Sequence, residues 1–148
     1  MEINPEVKKR INKVLDSQSI AVLGTSNKDE PYSCLVGFAI SEDLKELVFA
    51  TMRQRLKYKN MIANPRVTLM IDDRDTQASD FNDTTSITIV GSAKDMTGNE
   101  REKYVSMLLQ RQPALTEFVS SEDCAIMRVT VDKIYVVSEF ESVVKIGV

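Results

Sequence analysis

Apolar and polar positions recur with two different periods along this chain, and the switches between them divide it into elements. Val7, Ile11, Val14 and Leu15 repeat at helical spacing, which predicts an amphipathic helix over residues 5–16. Asn4-Pro5-Glu6 marks its start with a capping side chain, a proline at the first helical position and an acid in the first turn. Lys8, Lys9, Arg10 and Lys13 lie off the apolar stripe as a solvated face. Short apolar runs follow at 19–25, 31–41 and 46–51, separated by Asn27-Lys28-Asp29-Glu30 and by Glu42-Asp43. Such runs between polar turns predict strands, and their close succession predicts antiparallel hairpins. Residues 55–63 read as a short helix that ends at Asn64-Pro65, because a residue before proline avoids the helical region. Strands over 67–71 and 87–93 flank a polar, Asp-rich loop at 72–84. Thr97-Gly98-Asn99-Glu100 has the form of a capping box with Thr97 as the cap. The helix it opens runs to about Arg111, with Tyr104, Val105, Leu108 and Leu109 on its apolar side. Pro113 stops it, and Leu115, Phe118 and Val119 predict a further helical turn or two. Residues 125–131 and 134–138 read as late strands, and 143–146 as a last edge.

Six or more short strands with few helices predict a mainly β (α+β) chain closed or split as a barrel. A length of 148 residues suits one domain over 1–148. Strand-helix alternation is lacking, which disfavours a doubly wound parallel sheet. Neither a GxGxxG nor a GxxxxGK[ST] loop is present.

Composition then narrows the chemistry. The chain has no histidine, so a Ser-His or Cys-His nucleophile and a His-ligated zinc or haem are excluded. Any hard chemistry falls to a bound cofactor. No metal set is expected, and no catalytic side chain can be named. The net charge of −3, from 19 basic and 22 acidic residues, argues against nucleic acid as a partner. No apolar run approaches the ~20 residues of a membrane span. The polar first residues lack a secretory signal, and the two cysteines, Cys34 and Cys124, are far apart. A reducing cytoplasm is the expected setting.

The charge is unevenly placed. Arg53, Arg55, Lys57, Lys59 and Arg66 occupy one stretch with no acid among them, and Asp72, Asp73, Asp75, Asp80 and Asp83 occupy the next. A strand ends there in the hydroxyl of Thr51, and a loop with two arginines leads to a helix with Lys57 in its first turn. Free N–H groups, the positive dipole end and these cations together would cradle a phosphate. The same run also fits a solvated basic helix face. Cys34, among apolar neighbours, reads as a small buried hydrophobe ahead of a reactive thiol. The Asp-rich spacing lacks the glycine and terminal glutamate of an EF-hand loop.

The set Thr51, Lys57, Asn60, Asn64-Pro65, Val67 and Leu69 resembles the FMN-binding split-barrel family of pyridoxamine-phosphate-oxidase-like proteins. Ile20 to Thr25 with Pro31-Tyr32 is similar to the family's first hairpin, and Ile87 to Ala93 to its fifth strand. The resemblance covers residues 5 to 140. It implies an antiparallel six-stranded split β-barrel with a few short flanking helices, one FMN-binding domain. It further implies a homodimer with the cofactor at the subunit interface. Lys57 matches the family's phosphate lysine, and Thr51 a threonine that contacts the FMN side chain. Leu56 stands where the family often has a phosphate arginine, which leaves Arg55 or Arg53 to supply that charge. Cys34 stands where the oxidase has another arginine. The backbone from Ser33 through Cys34 and Leu35 to Val36 would lie along the flavin ring. Ser86 falls where a glutamine of the partner subunit often reaches the cofactor. The implied function is an FMN-binding oxidoreductase acting on an unidentified small molecule. The alternative is a non-catalytic flavin-binding or stress-related protein. The C-terminal arginine and histidine of the oxidase's substrate site have no match in Glu139 to Val148, so its own reaction is not expected.

Overall fold

The computed structural model describes residues 3–74, 84–138 and 142–148. Helix α1 (Pro5–Ser17) starts as its sequence dictates, with Asn4 Oδ1 accepting the Glu6 amide at 2.8 Å. It buries Ile11, Val14 and Leu15. Strands β1 (Ile20–Asn27) and β2 (Glu30–Ile40) form a hairpin whose turn residues Lys28 and Asp29 adopt φ of 52° and 65°. Positive φ at both turn positions matches the twist of the flanking strands. Then follow β3 (Glu46–Met52), α2 (Leu56–Ala63), β4 (Arg66–Asp72) and β5 (Ser86–Asp95). Helix α3 (Asn99–Arg111), a single 3-10 turn (Pro113–Leu115), α4 (Thr116–Ser120), β6 (Cys124–Ser138) and β7 (Ser142–Gly147) complete the order.

The strands run β3-β2-β1-β4-β5-β6, every pair antiparallel, and β6 returns to β3 to close a six-stranded barrel. Closure leaves fewer unpaired edges than an open sheet of these strands would expose. Strand β7 adds to the C-terminal half of β6, beyond the stretch that pairs with β3.

Two sequence expectations need correction. The late strands at 125–131 and 134–138 are one strand, β6, which carries a bulge where Gly91 faces Val131 and Val90 faces Lys133. One extra residue, Asp132, is accommodated there without ending the strand. Gly91 permits it, since a Cβ at that position would sit 2.2 Å from the Thr130 carbonyl oxygen. The cap of α3 is Gly98, at φ 66° and with no side-chain cap bond, and Thr97 lies one residue outside. The positive φ that a glycine tolerates sets the turn into the helix and moves its start past the threonine. Most of the Asp-rich loop, residues 75–83, and residues 139–141 lie outside the described residues. Asp73, at the edge of that loop, accepts the Thr85 amide at 2.8 Å and so ties the ends of β4 and β5 together.

The core has two layers. Inside the barrel, Leu23, Phe49, Leu69, Ile87, Ile89, Met127, Ile134 and Val136 pack with the buried face of α1. Outside it, Val48 and Ile126 pack beneath Tyr104 and Leu108 of α3 and Val119 of α4. Strand β3 is therefore covered on both faces, which is why Leu47, Val48 and Phe49 break the alternation expected of a half-buried strand. Among the described residues no helix is long and apolar enough to cross a membrane.

The barrel wall is split between β2 and β3. The β2–β3 ladder holds only from Phe38↔Phe49 to Ile40↔Leu47. Before Phe38, β2 pairs with β1 alone, and after Phe49, β3 pairs with β6 alone. The two strands diverge there, and α2 follows directly from the free end of β3.

Candidate functional site

The divergence of β2 from β3 opens a cleft of about 510 Å³. One wall is β2, through Tyr32, Leu35, Val36 and Gly37, and the other is β3, through Ala50, Thr51 and Met52. The turn and first residues of α2, from Gln54 to Lys57, form the floor, and Leu115 with Phe118 closes the far side. Backbone groups of β2 that point away from β1 meet no strand along this stretch.

Five of the predicted residues meet at this cleft: Leu35, Val36, Thr51, Arg55 and Lys57. Thr51 is buried where β3 pairs with Ala125, and its hydroxyl donates to the Met52 carbonyl at 3.1 Å. Arg55 is the N-cap residue of α2 and gives no side-chain cap bond. The first hydrogen bond it closes is from the Lys59 amide to its own carbonyl, 3.2 Å, while its own amide donates to the Met52 carbonyl, so the amides of residues 56 to 58 remain available to a ligand. Among the described residues, neither the Arg55 nor the Lys57 side chain has a hydrogen bond or ion pair. The helix N-terminus thus presents two uncommitted cations where its dipole already favours an anion.

Helix α2 is held at that place by a buried bond. Asn60 Nδ2 donates to Thr25 Oγ1 at 3.0 Å, and both side chains are out of solvent. The motif residue Asn60 therefore fastens the helix to β1 and does not face the cleft.

The remaining predicted residues lie elsewhere. Arg53 points away and lines a different depression, beside Arg101 and Glu122. Its Nε pairs with Asp95 Oδ2 at 3.3 Å, and its Nη1 donates to the Glu122 carbonyl at 3.1 Å. Of the two arginines expected to supply phosphate charge, only Arg55 is placed to do so. Ser33 is exposed on β2, outward of Leu35. Cys34 alternates to the other face and packs half-buried against the barrel core. Burial pushes its thiol up, while the Lys57 ammonium pulls in the opposite direction. Ser86 starts β5 opposite Val137, at the other end of β6 from the Ala125 that faces Thr51. Within one chain it lies remote from the cleft.

Sequence reasoning missed Tyr32, Leu115 and Phe118 as lining residues. The helical spacing of Leu115 and Phe118 marked an apolar face, but nothing in the sequence said that the face would meet β2. It also missed Tyr58, whose hydroxyl donates to Asp95 Oδ2 at 2.8 Å. Exposed apolar side chains cluster on the rim, with Leu35 67% and Leu56 51% exposed. A cleft with cationic donors at one end and an apolar rim suits a ligand that is itself part anion and part flat apolar body.

Comparisons with known proteins agree with this architecture. A family model described as pyridoxamine 5'-phosphate oxidase matches residues 7–138. A solved structure described as a heme-binding protein from Mycobacterium smegmatis superposes with a TM-score of 0.85 at 16% identity. That match covers 99% of this chain, which spans only 60% of the mycobacterial protein. A FAD-binding protein from Mesorhizobium loti superposes with a TM-score of 0.68 at 17% identity, over 86% of this chain and 91% of its own. General Stress Protein 26 from Bacillus anthracis gives 0.68 at 19% identity, over 95% and 99%. At these identities the structures share the fold. No curated protein matches the sequence.

Proposed function

Because this chain belongs to the pyridoxamine 5'-phosphate oxidase family, we propose that it binds FMN in the β2–β3 cleft as a homodimer and acts as an oxidoreductase on a small molecule. The observation that carries this reading is the pair Arg55 and Lys57, whose side chains make no hydrogen bond or ion pair among the described residues, at the open N-terminus of α2. A phosphate monoester brings two negative charges, and this donor set offers two cations and unpaired amides to meet them. Thr51, a lining residue of the cleft, would meet the sugar-alcohol chain. Leu35, Val36 and the unpaired edge of β2 receive the ring. When bound, FMN supplies hydride or electron transfer at its ring. The protein's part is to hold and orient it and to exclude water with Leu115 and Phe118.

The exposed rim of Leu35, Leu56 and Phe118 is apolar surface that a second copy would cover. In such a dimer the family resemblance implies that the partner's Ser86 would lie near the cofactor. The chain offers no histidine to ligate a haem iron. One observation favours a second reading, flavin binding without turnover. Among the described lining residues only Tyr32 and Lys57 carry a proton that a side chain could pass on, since a guanidinium keeps its own, which leaves few groups to move a proton to a substrate.

The test is to purify the protein, release its chromophore by denaturation and identify it, with light scattering on the same sample. FMN released from a dimer is expected. A monomer that takes up neither added FMN nor riboflavin would overturn the proposal. Turnover with reduced nicotinamide and a panel of acceptors then separates the two readings.

A further inference from the structure

The corner between β3 and α2 is bound by a cluster that makes no use of the cleft. Asp95, the last residue of β5, holds both sides of the corner at once. On the side before the helix, its carboxylate pairs with Arg53 Nε at 3.3 Å, and Arg53 Nη2 donates to Oδ1 at 3.5 Å. On the helix side, Oδ2 accepts the Tyr58 hydroxyl at 2.8 Å. The Arg53 guanidinium also lies 6.0 Å from the centre of the Tyr58 ring. Two further bonds anchor Arg53 to the turn just before β6, from its amide to the Asp123 carbonyl at 2.9 Å and from Nη1 to the Glu122 carbonyl at 3.1 Å. Arg55 and Lys57 sit between the two residues that Asp95 grips. The carboxylate is 15% exposed, so its bonds are shielded from solvent more than a surface pair would be.

We infer that Asp95, through Arg53 and Tyr58, is a positioning group that presets the α2 N-terminus for a phosphate. The inference rests on the proposed FMN reading of the cleft. Its physical content is preorganisation: an anion bound by amides and two long cationic side chains loses less entropy when the backbone carrying them is already fixed. Asp95 is itself negative, and this gives the inference a sharp sign. By charge alone, removing Asp95 would strengthen the hold on a dianion nearby. By positioning, removing it weakens that hold.

The experiment measures FMN and riboflavin affinities of the wild type, Asp95→Asn, Tyr58→Phe and Arg53→Lys by quenching of flavin fluorescence. Riboflavin lacks the phosphate, so it reports the ring pocket and the fold. Hydrogen exchange of the segment spanning residues 52–59 is followed in the flavin-free proteins. Asp95→Asn is expected to weaken FMN on the order of 10-fold, with riboflavin unchanged and exchange in the segment accelerated. Tyr58→Phe, which keeps the ring and the fold, gives a smaller change of the same sign. Tighter FMN in Asp95→Asn, or an unchanged FMN-to-riboflavin ratio in both variants, would overturn the positioning role. Unchanged exchange at the corner would overturn it independently of any flavin. A wild type that binds neither flavin, with exchange still accelerated in Asp95→Asn, would instead refute the FMN reading and leave the pinned corner in place.

Discussion

Breaking the buried bond between Asn60 and Thr25 should destabilise the protein by an amount that its partner can restore. Asn60→Leu removes the Nδ2 donor that Thr25 Oγ1 accepts at 3.0 Å. Both residues are 4% exposed, so water cannot replace the lost donor. An orphaned buried polar group costs about 1–3 kcal/mol. A chain of this size loses about 2–4 °C of melting temperature per kcal/mol, so a mid-range cost lowers it by about 4–8 °C. Thr25→Val, which orphans the asparagine from the other side, should cost a similar amount. The double variant Thr25→Val/Asn60→Leu leaves no orphan, and replacing both partners by apolar groups of like shape can be nearly neutral. It should therefore be more stable than the sum of the single effects by at least about 1 kcal/mol. Thermal and urea unfolding of the four proteins measures the cycle. Strict additivity would refute the claim that this bond fastens α2 to the barrel.

Other expectations follow from the same geometry. Gly91→Ala puts a Cβ 2.2 Å from the Thr130 carbonyl, a backbone clash that should cost about 3 kcal/mol, read as a lower urea midpoint. Arg111 Nη2 donates to the carbonyls of Leu15, Asp16 and Gln18 at 2.6, 2.9 and 2.9 Å, capping a helix that has no basic residue in its last turn. Arg111→Ala should cost about 1.5–3 kcal/mol in the same assay. Burial raises the thiol pKa of both Cys34 and Cys124, and burial followed by the bond to Asp95 raises that of Tyr58. The folded chain then keeps these protons to higher pH than the unfolded chain does. Their contribution to stability is complete below the ordinary thiol range and is lost as pH rises through and above it. Melting temperature should fall there, and less steeply in Cys34→Ala/Cys124→Ala; an identical slope would exclude the thiols as the cause.

Much of the fold could be read from local signals because its elements are short and sharply punctuated. Asn4-Pro5-Glu6 caps α1 as written, and Lys28-Asp29 supplies the positive φ angles of the first hairpin. Asn64-Pro65 ends α2, and the Asn64 side chain accepts the Arg66 amide at 3.1 Å to start β4. What local signals could not carry were contacts set by closure of the barrel. Val131-Asp132-Lys133 looks like a turn by composition, yet β5 pairs across it on both sides and makes it a bulge within one strand. The site divided the same way. Arg55 and Lys57 were legible because a helix start declares itself in sequence. The pairing that draws Arg53 away from the cleft was not legible because its partner Asp95 is 42 residues away, and only the register of β5 on β6 brings that carboxylate to the corner. Leu115 and Phe118 were visible as an apolar face without a destination, since that destination is the split between β2 and β3.

The central claim is that the α2 N-terminus holds the phosphate of FMN, and paired titrations of FMN and riboflavin test it most directly. In the wild type FMN should bind more tightly than riboflavin, because only FMN reaches Arg55 and Lys57. Lys57→Ala should weaken FMN roughly 10- to 100-fold, from a charged hydrogen bond of about 1.5–3 kcal/mol, and leave riboflavin unchanged. Arg55→Ala should act in the same direction, and added salt should narrow the FMN preference of the wild type. Equal affinity for the two flavins in the wild type, or an FMN affinity untouched in both folded variants, would contradict the account and leave the basic run as a solvated helix face.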